Sequence, residues 1–289
     1  MKKVNKTKKA DITQAKPFLK WVGGKGKLIP ELSKYYPESY GTFYEPFVGG
    51  GAMFFSVAPK TAHINDMNSV LINAYFRIKN DTEKLIDKLD ALQIEYKSLP
   101  DLEKKKEFFL EKRALFNQLK SDDFEKSVLL IFLNKTCFNG MYRENSKGGF
   151  NVPFGKQENP TISDHKNLRN ISKALNKTII TASSYEKAVS DAKKGDFIYF
   201  DPPYHPLNAT SSFTSYQAGG FSAEDQRKLR DTFKELSDRG CYVMLSNSNS
   251  PLILDLYKGF KIHNIMAARS INSVGTGRGK VAEVIVTSY

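Results

Sequence analysis

Short apolar runs alternate with helical patterns of apolar residues along most of the chain. Such alternation is typical of an α/β fold with a mostly parallel sheet. The apolar runs predict seven strands, at residues 42–47, 62–65, 178–182, 196–200, 241–246, 260–265 and 281–286. One predicted helix has clear end signals, because Ser222 and Asp225 can form a capping box at its start and Gly240 follows its last turn.

Residues 80–133 differ from the rest because their apolar period is helical throughout and no strand pattern appears. Asp81 can cap a helix with Leu85, Leu89 and Tyr96 on one side, and a second, lysine-rich helix follows. A glycine- and asparagine-rich loop at residues 134–160 leads back to the α/β pattern. We therefore predict that residues 80–160 are an insertion into a domain formed by residues 16–79 and 161–289.

The 289 residues include 44 Lys and Arg against 31 Asp and Glu, a formal net charge of +13. Hydrophobic residues make up 40% of the chain, which is enough for a packed core, and a folded basic protein usually meets a polyanion. Residues 1–15 are predicted to form a basic, flexible tail. A role in keeping the protein soluble is favoured over a role in binding nucleic acid. Two separated cysteines, no secretory signal and no membrane-length apolar run predict a cytoplasmic location. The four histidines show no ligand spacing, so we predict no metal site.

Residues 45–51, with the sequence Glu-Pro-Phe-Val-Gly-Gly-Gly, end the first predicted strand. Such glycines permit a tight turn at the carboxyl edge of a sheet and let a ligand approach the backbone. Asp66 ends the next strand, at about the twenty-residue distance at which an acid binds ribose in nucleoside-binding folds. Phe54 replaces the third glycine of the dinucleotide fingerprint, so a nucleoside without a pyrophosphate fits better than NAD. A purely structural turn is the alternative for this motif alone.

Residues 201–204, with the sequence Asp-Pro-Pro-Tyr, follow a predicted buried strand. The two prolines force the chain out of the strand directly after the acid. A carboxylate, a proline carbonyl and an aromatic ring are thereby held together, which suits stacking and hydrogen bonding of a flat ring that carries an amine. The alternative is an ordinary strand-terminating turn.

The only tryptophan of the chain, Trp21, stands shortly before Gly23, Gly24 and Lys25. A lone tryptophan is commonly a core residue. Beside two glycines and a lysine, it can equally cover a purine face or a sulfonium cation, with Lys25 as a hydrogen-bond donor.

These motifs occur in a definite order: Lys-Trp-Val-Gly-Gly-Lys at residues 20–25, residues 45–51, Asn-Asp at residues 65–66, and residues 201–204. In that order they resemble the Dam-like DNA adenine-N6 methyltransferases of the D12 class, alpha group, and most closely the GATC-modifying methylases of restriction–modification systems. The resemblance covers residues 17–289. It implies a Rossmann-like seven-stranded methyltransferase sheet, at residues 16–79 and 161–289, with an inserted helical target-recognition domain and β-hairpin at residues 80–160.

The resemblance also implies roles for individual residues around S-adenosylmethionine and the target adenine. The catalytic residues would be Asp201, Pro202 and Tyr204: the carboxylate and the proline carbonyl would hold the adenine amine with its lone pair toward the methyl group, while Tyr204 stacks on the base. The base must be flipped out of the duplex to reach them. The residues implied for cofactor binding are Trp21, Gly24, Lys25, Glu45, Pro46, Phe47, Gly49, Gly51, Asp66 and Asp201.

Residues 134–156 mix basic, aromatic and amide side chains, which suits contacts with base edges and phosphates, although composition alone fits a surface hairpin equally well. By the resemblance, Arg143 would read the first guanine of GATC. Met141 and Lys156 replace the leucine and arginine of close relatives, and a lysine cannot reproduce a forked contact. The basic stretch at residues 269–280 is interpreted as a loop tip, with a DNA-backbone contact as the alternative. The residues implied for DNA binding are Lys20, Asn139, Met141, Arg143, Asn151, Pro153 and Lys156.

The predicted function is S-adenosylmethionine-dependent adenine-N6 methylation of double-stranded DNA at GATC. The resemblance also allows a functional pairing with a restriction endonuclease. The alternatives are the same chemistry on another DNA sequence or on RNA, a nucleotide-dependent oxidoreductase, and a catalytically silent DNA-binding protein. The incomplete dinucleotide motif and the basic charge oppose an oxidoreductase. The intact residues 201–204 oppose a silent binding protein.

Overall fold

A computed structural model of the chain describes residues 15–207, 221–268 and 280–289. Seven strands lie in these ranges, and all seven coincide with predicted strands apart from a few residues at their ends. They are β1 (Phe43–Glu45), β2 (Ala62–Asn65), β3 (Thr178–Thr181), β4 (Phe197–Phe200), β5 (Tyr242–Ser248), β6 (Lys261–Ala268) and β7 (Lys280–Thr287).

The strands form one sheet in the order β3-β2-β1-β4-β5-β7-β6. Strands β1 to β5 are parallel to one another, whereas β7 is antiparallel to both of its neighbours, β5 and β6. The strand order reverses between β1 and β4, and ligands of open α/β sheets bind in the crevice at the carboxyl ends of such strands. Glu45, at the end of β1, and Asp201, directly after β4, lie at this crevice.

Both faces of the sheet are covered. Alternate residues of a strand point to opposite faces, so Phe197 and Tyr199 of β4 belong to one buried cluster, and Ile198 and Phe200 to the other. All four side chains are fully buried. Burial on both faces therefore fixes the carboxyl ends of the strands and the residues that come directly after them.

Helices surround the sheet, and the capping box predicted from Ser222 and Asp225 is confirmed at the start of α9: the hydroxyl accepts from Asp225 N, and the carboxylate accepts from Ser222 N. Short 3₁₀ turns lie at Lys25–Lys27, Ser33–Tyr35 and Phe138–Gly140. In the described residues the α-helices are α1 (Ile29–Leu32), α2 (Ala52–Val57), α3 (Ser69–Asn80), α4 (Thr82–Ser98), α5 (Leu102–Gln118), α6 (Phe124–Thr136), α7 (His165–Ala174), α8 (Tyr185–Ala188), α9 (Ala223–Asp238) and α10 (Pro251–Leu256).

The segment predicted as helical from residue 80 contains α4, α5 and α6. Asp81 precedes α4, but its carboxylate does not cap the helix as predicted; it pairs with Arg77 Nη1 at 3.2 Å, because Arg77 lies one turn earlier in α3. Residues 134–136, predicted as loop, form the last turn of α6, where Asn134 and Thr136 are buried. Helix α6 packs against both α3 and α5. The helical segment thus shares a core with the sheet, and its division from the rest at residues 80 and 160 stays a prediction.

The predicted β-hairpin takes the form of a loop, residues 137–156, with two isolated antiparallel bridges, Cys137 to Phe154 and Glu144 to Phe150. A side chain replaces part of the missing ladder: Asn117 of α5 accepts a hydrogen bond from Phe150 N at 2.8 Å and donates to Phe150 O at 3.2 Å. Loop 137–156 is therefore attached to the helical segment.

Two predicted features fall wholly or mainly outside the described residues: the lysine-rich tail, of which only Ala15 is described, and the basic stretch from residue 269. Among the helices of the described ranges, none is both long and apolar enough to span a bilayer.

Candidate functional site

The glycine-rich loop after β1 has a backbone shape that glycine adopts most easily. Gly49 and Gly51 have positive φ values of +46° and +75°, and Gly51 N donates to Val48 O at 2.7 Å. Half-buried Trp21 lies against this loop, so that a Cβ atom on Gly49 would come within 2.9 Å of the indole Cδ1. The structure therefore places Trp21 on the predicted cofactor loop.

Asp66 holds the same loop from the end of β2. Its two carboxylate oxygens accept hydrogen bonds from Gly49 N and Asn68 N, each at 3.0 Å. Burial raises the pKa of this carboxyl group. The adjacent Asn65 is buried and donates to the Pro46 carbonyl at 3.0 Å, which ties the end of β2 to the segment after β1. The ribose contact of Asp66 stays a prediction.

Gly51→Ala should destabilise the fold more than Gly148→Ala. Both glycines have φ of +75°, but a Cβ atom on Gly51 would lie 2.6 Å from the Tyr75 hydroxyl, whereas a Cβ atom on Gly148 would meet nothing within 4 Å. A left-handed backbone at a residue other than glycine costs about 1–3 kcal/mol, so we expect this loss in both variants and a further loss in Gly51→Ala. Urea unfolding of the protein without ligand measures the difference; equal midpoints would contradict the predicted clash.

Asp201 and Lys25 form a buried ion pair at the crevice, with Nζ and Oδ1 2.7 Å apart and only 7% of the Lys25 and 17% of the Asp201 side chain exposed. The ammonium group also donates to Gly23 O at 2.7 Å and lies 4.7 Å from the centre of the Tyr204 ring. Burial raises the pKa of Asp201, and the charge and hydrogen bond of Lys25 oppose this rise. The lysine thus favours the ionised carboxylate.

Glu45 is another acid at this crevice. Its side chain is 2% exposed, and its Oε2 atom has no hydrogen-bond partner among the described residues. Burial and the negative charge of Asp201 raise its pKa well above the ordinary value, with a smaller contribution from Asp66. Three carboxyl groups are therefore gathered where Lys25 supplies one positive charge. A buried carboxylate oxygen without a hydrogen-bond partner is costly, so this site suits a ligand that brings a hydrogen-bond donor or a positive charge.

Two other predicted cofactor residues make contacts within the protein. The Phe47 ring stacks on Tyr185, with 5.4 Å between ring centroids, and also contacts Phe200 and Phe221. Gly24 N donates to Trp21 O at 3.1 Å, which closes the turn that brings Lys25 to Asp201.

The chain around Tyr204 is held by side chains from other elements. Gln226 Nε2 of α9 donates to Pro203 O at 2.9 Å, and His205 N donates to Asn247 Oδ1 of β5 at 3.1 Å. The Tyr204 hydroxyl donates to Glu283 Oε2 of β7 at 3.1 Å. Pro202, between Asp201 and these contacts, is buried.

Trp21 also contacts loop 137–156. Its ring stacks on Tyr142, with 5.0 Å between centroids and 21° between planes. The preceding Lys20 is fixed by Asn134, whose Oδ1 accepts from Lys20 N at 3.0 Å and whose Nδ2 donates to Lys20 O at 2.9 Å. The glycine-rich loop and loop 137–156 are thus joined through one short segment.

Arg143 and Asn151 lie opposite each other in loop 137–156. Arg143 Nε donates to Asn151 Oδ1 at 2.7 Å, Nη2 donates to Asn151 O at 3.4 Å, and Asn151 N donates to Arg143 O at 3.1 Å. Neither guanidinium bond uses Nη1. These bonds hold the plane of the guanidinium group against Asn151.

The other residues predicted to bind DNA are placed around the same loop. The Lys20 side chain crosses Gly140, where a Cβ atom would come within 2.6 Å of Lys20 Cδ. Asn139 and Lys156 are exposed and have left-handed backbones, with φ of +56° and +54°. Exposed Pro153 accepts from Phe138 N at 2.9 Å. Met141 is half-buried and packs against the main core.

Residues 21–271 match the family model described as D12 class N6 adenine-specific DNA methyltransferase. The chain belongs to this family. It is 47% identical over 279 residues to the Type II methyltransferase M1.LlaDCHI of Lactococcus lactis subsp. cremoris, covering 95% of each chain. It is 42% identical over 289 residues to the Type II methyltransferase M.MjaIII of Methanocaldococcus jannaschii, covering 96% of this chain and 100% of the relative. Its identity to the DNA adenine methylase of Escherichia coli K12 is 32% over 268 residues, covering 93% of each chain.

The protein is thus a DNA adenine-N6 methyltransferase, which confirms the predicted family, enzyme class and α/β fold. The two cysteines of the methyltransferase are buried. Burial raises the pKa of Cys137 to about 11 and raises that of Cys241 above its ordinary value. Because the thiolate is the nucleophilic form, neither cysteine is activated, in agreement with the sequence-based interpretation.

Gln226, Asn247 and Glu283 of the methyltransferase were not predicted as site residues. Gln226 did have a signal in the sequence: it stands three residues before Leu229 and seven before Phe233, so it lies on the apolar face of α9. A polar side chain at such a position usually has a specific partner. Asn247 and Glu283 lie in strands, and the pairing of those strands was needed to find their partners.

Proposed function

We propose that the methyltransferase uses S-adenosylmethionine as its donor and methylates the adenine of GATC in double-stranded DNA, after the base has left the helix. The observation that supports this most is the cluster of Asp201, Pro202 and Tyr204 at the crevice between β1 and β4, where the charge of Asp201 acts on Glu45. The acceptors for an amine and the proposed cofactor loop are thereby neighbours.

The charges of the crevice favour a cationic donor. The carboxyl groups of Glu45, Asp66 and Asp201 outnumber the single ammonium group of Lys25, and Glu45 Oε2 has no hydrogen-bond partner among the described residues. S-adenosylmethionine supplies an electrophilic methyl group on a positively charged sulfur. A dinucleotide would bring a pyrophosphate to three acids, and Phe54 replaces the glycine that it needs. The residues proposed to hold the cofactor are Trp21, Gly24, Lys25, Glu45, Pro46, Phe47, Gly49, Gly51, Asp66 and Asp201.

The acceptors in residues 201–204 match the two N–H groups of an adenine amine. That amine is a poor nucleophile because its lone pair is delocalised into the ring. Asp201 accepts one N–H and the Pro202 carbonyl accepts the other, so the lone pair turns out of the ring plane toward the methyl group. Tyr204 stacks on the base, and Lys25 keeps Asp201 ionised. Transfer would be direct: the bond from the methyl carbon to adenine N6 would form as its bond to sulfur breaks, S-adenosylhomocysteine would leave, and the methylated nitrogen would lose one proton, for which the ionised Asp201 carboxylate is an acceptor. Inside a duplex the amine cannot reach these groups, so the base is flipped out.

Loop 137–156 is the proposed reader of the DNA sequence. The guanidinium of Arg143, held in plane by Asn151, suits a bidentate contact with guanine O6 and N7. Lys20, Asn139, Met141, Pro153 and Lys156 complete the proposed DNA surface, and the net charge of +13 favours the phosphate backbone. Because two relatives carry Type II methyltransferase names, we also propose that the enzyme is paired with a restriction endonuclease.

Methyl transfer from tritiated S-adenosylmethionine to defined duplexes tests the proposal. We expect a duplex with one GATC site to be labelled, and a duplex with the same composition but a permuted site to remain unlabelled. Plasmid incubated with enzyme and cofactor should become resistant to a nuclease that cuts only unmethylated GATC. Labelling of the permuted duplex would contradict the specificity for GATC, and labelling of RNA instead of DNA would contradict duplex DNA as the substrate. No labelling with this donor would contradict the cofactor assignment.

A further inference from the structure

Two fully buried amides, Gln226 of α9 and Asn247 of β5, connect to the backbone on both sides of Tyr204. Gln226 Nε2 donates to Pro203 O at 2.9 Å, and Asn247 Oδ1 accepts from His205 N at 3.1 Å. The two amides are joined by a bond of 3.0 Å from Asn247 Nδ2 to Gln226 Oε1. A continuous hydrogen-bonded relay therefore runs from one side of Tyr204 to the other.

The direction of every bond in this relay follows from the backbone. Asn247 Oδ1 faces two N–H groups, those of His205 at 3.1 Å and Ser248 at 2.8 Å. Backbone N–H groups only donate, so the oxygen of Asn247 must face them and its Nδ2 must face Gln226. Gln226 then accepts with Oε1 and presents its N–H to the Pro203 carbonyl. The relay thus supplies a donor to Pro203 O.

Residues 202–203 need such a support because prolines have no N–H group and cannot join a strand ladder. The Ser248 hydroxyl adds a bond of 2.6 Å to His205 O, so β5 holds His205 through both its N–H and its carbonyl. Three bonds from α9 and β5 thus fix the chain on both sides of Tyr204.

We propose that Gln226 and Asn247 are positioning residues of the methyltransferase, which hold the Pro202 carbonyl and the Tyr204 ring at their working positions. The proposal rests on the catalytic role proposed for residues 201–204. Neither amide touches the adenine; each acts through the backbone of the loop. Gln226 is buried on an otherwise apolar face of α9, and Asn247 is buried in β5. Apolar side chains of the same size could fill both places without a hydrogen-bond requirement, so the two amides serve this loop.

Gln226→Met tests the relay because it keeps the side-chain volume and removes both hydrogen bonds. A displacement of about 1 Å at an active site can cost about 100-fold in rate, so we expect kcat to fall by about that factor with cofactor and GATC duplex saturating. The dissociation constant of S-adenosylhomocysteine should change less than about twofold, because the proposed cofactor residues other than Asp201 lie outside this loop. Asn247→Leu should lower kcat similarly, and the double variant should lose little more than either single one, since both break the same relay.

Gln93→Met is the matched control. Gln93 Oε1 also accepts backbone bonds, from Ile162 N at 2.8 Å and Ser163 N at 3.3 Å, on a loop that does not carry the proposed catalytic residues. It should lose stability with kcat unchanged. If Gln226→Met does not fold, Ser248→Ala removes a single bond to His205 O and should still lower kcat by about tenfold.

The outcomes separate this proposal from the proposed function. A folded Gln226→Met with normal kcat, a loss confined to KM for the cofactor, or additive losses in the double variant would each overturn the relay, as would normal kcat in Ser248→Ala. An Asp201→Ala assay in parallel distinguishes the two: if Asp201→Ala is also active, the catalytic role of residues 201–204 fails, whereas an inactive Asp201→Ala beside an active Gln226→Met removes the positioning role alone.

Discussion

Asp201→Ala should lower methyl transfer to GATC duplex by at least about 100-fold while the cofactor still binds. The change removes one of the two acceptors proposed for the adenine amine and leaves the Lys25 ammonium, 2.7 Å away, without its negatively charged partner. Asp201→Asn is the informative companion, because its amide oxygen can still accept one N–H; we expect its rate to fall between those of the wild type and Asp201→Ala. Single-turnover labelling measures the rate, and calorimetry with S-adenosylhomocysteine measures binding.

The same carboxyl group predicts how activity depends on pH. Burial raises its pKa above the ordinary value, so protonation, which removes the acceptor, should lower kcat at a higher pH than an exposed aspartate would. Stability changes in the opposite direction. A folded-state pKa raised above that of the unfolded chain makes the ionised form of Asp201 destabilising, and protonation relieves this cost as the pH falls. Protonation of Asp201 at low pH should therefore lower kcat without destabilising the fold. An Asp201→Ala variant that labels the duplex as fast as the wild type would contradict the mechanism.

Arg143→Ala should relax the requirement for the first guanine of the site without abolishing DNA binding. A bidentate arginine–guanine pair contributes about 1–3 kcal/mol of discrimination, so the preference for GATC over duplexes with another first base should fall about 5- to 150-fold. Lys147→Ala, at the exposed tip of the same loop, is the control and should leave base selectivity unchanged. Competition between four duplexes that differ only at that base gives the preference as ratios of kcat/KM. Unchanged ratios in Arg143→Ala would remove the assignment.

The sequence carried enough information for the sheet and for the central motif, because both depend on local patterns. Buried apolar runs define strands such as β4 with its Phe197–Phe200 core, and the two prolines after Asp201 end that strand whatever the rest of the fold does. The capping box of α9 was predictable for the same reason, since Ser222 and Asp225 are three residues apart.

Features that depend on a competing neighbour or on distant contacts could not be predicted from local patterns. Asp81 was expected to cap α4, but an arginine one turn earlier competes for its carboxylate. Loop 137–156 lacks a regular ladder because Asn117, more than thirty residues away, pairs with the backbone of Phe150. The ion pair of Lys25 and Asp201 joins residues that are far apart in the sequence and has no local signature.

The stack of Trp21 on Tyr142 has a practical consequence. The chain contains a single tryptophan, and its indole touches the glycine-rich loop on one side and loop 137–156 on the other. Any event that moves either surface changes the polarity around that indole. Tryptophan fluorescence of the unlabelled protein is therefore a single-site reporter of both loops, and stopped-flow emission traces can resolve the order in which the proposed donor and the DNA arrive.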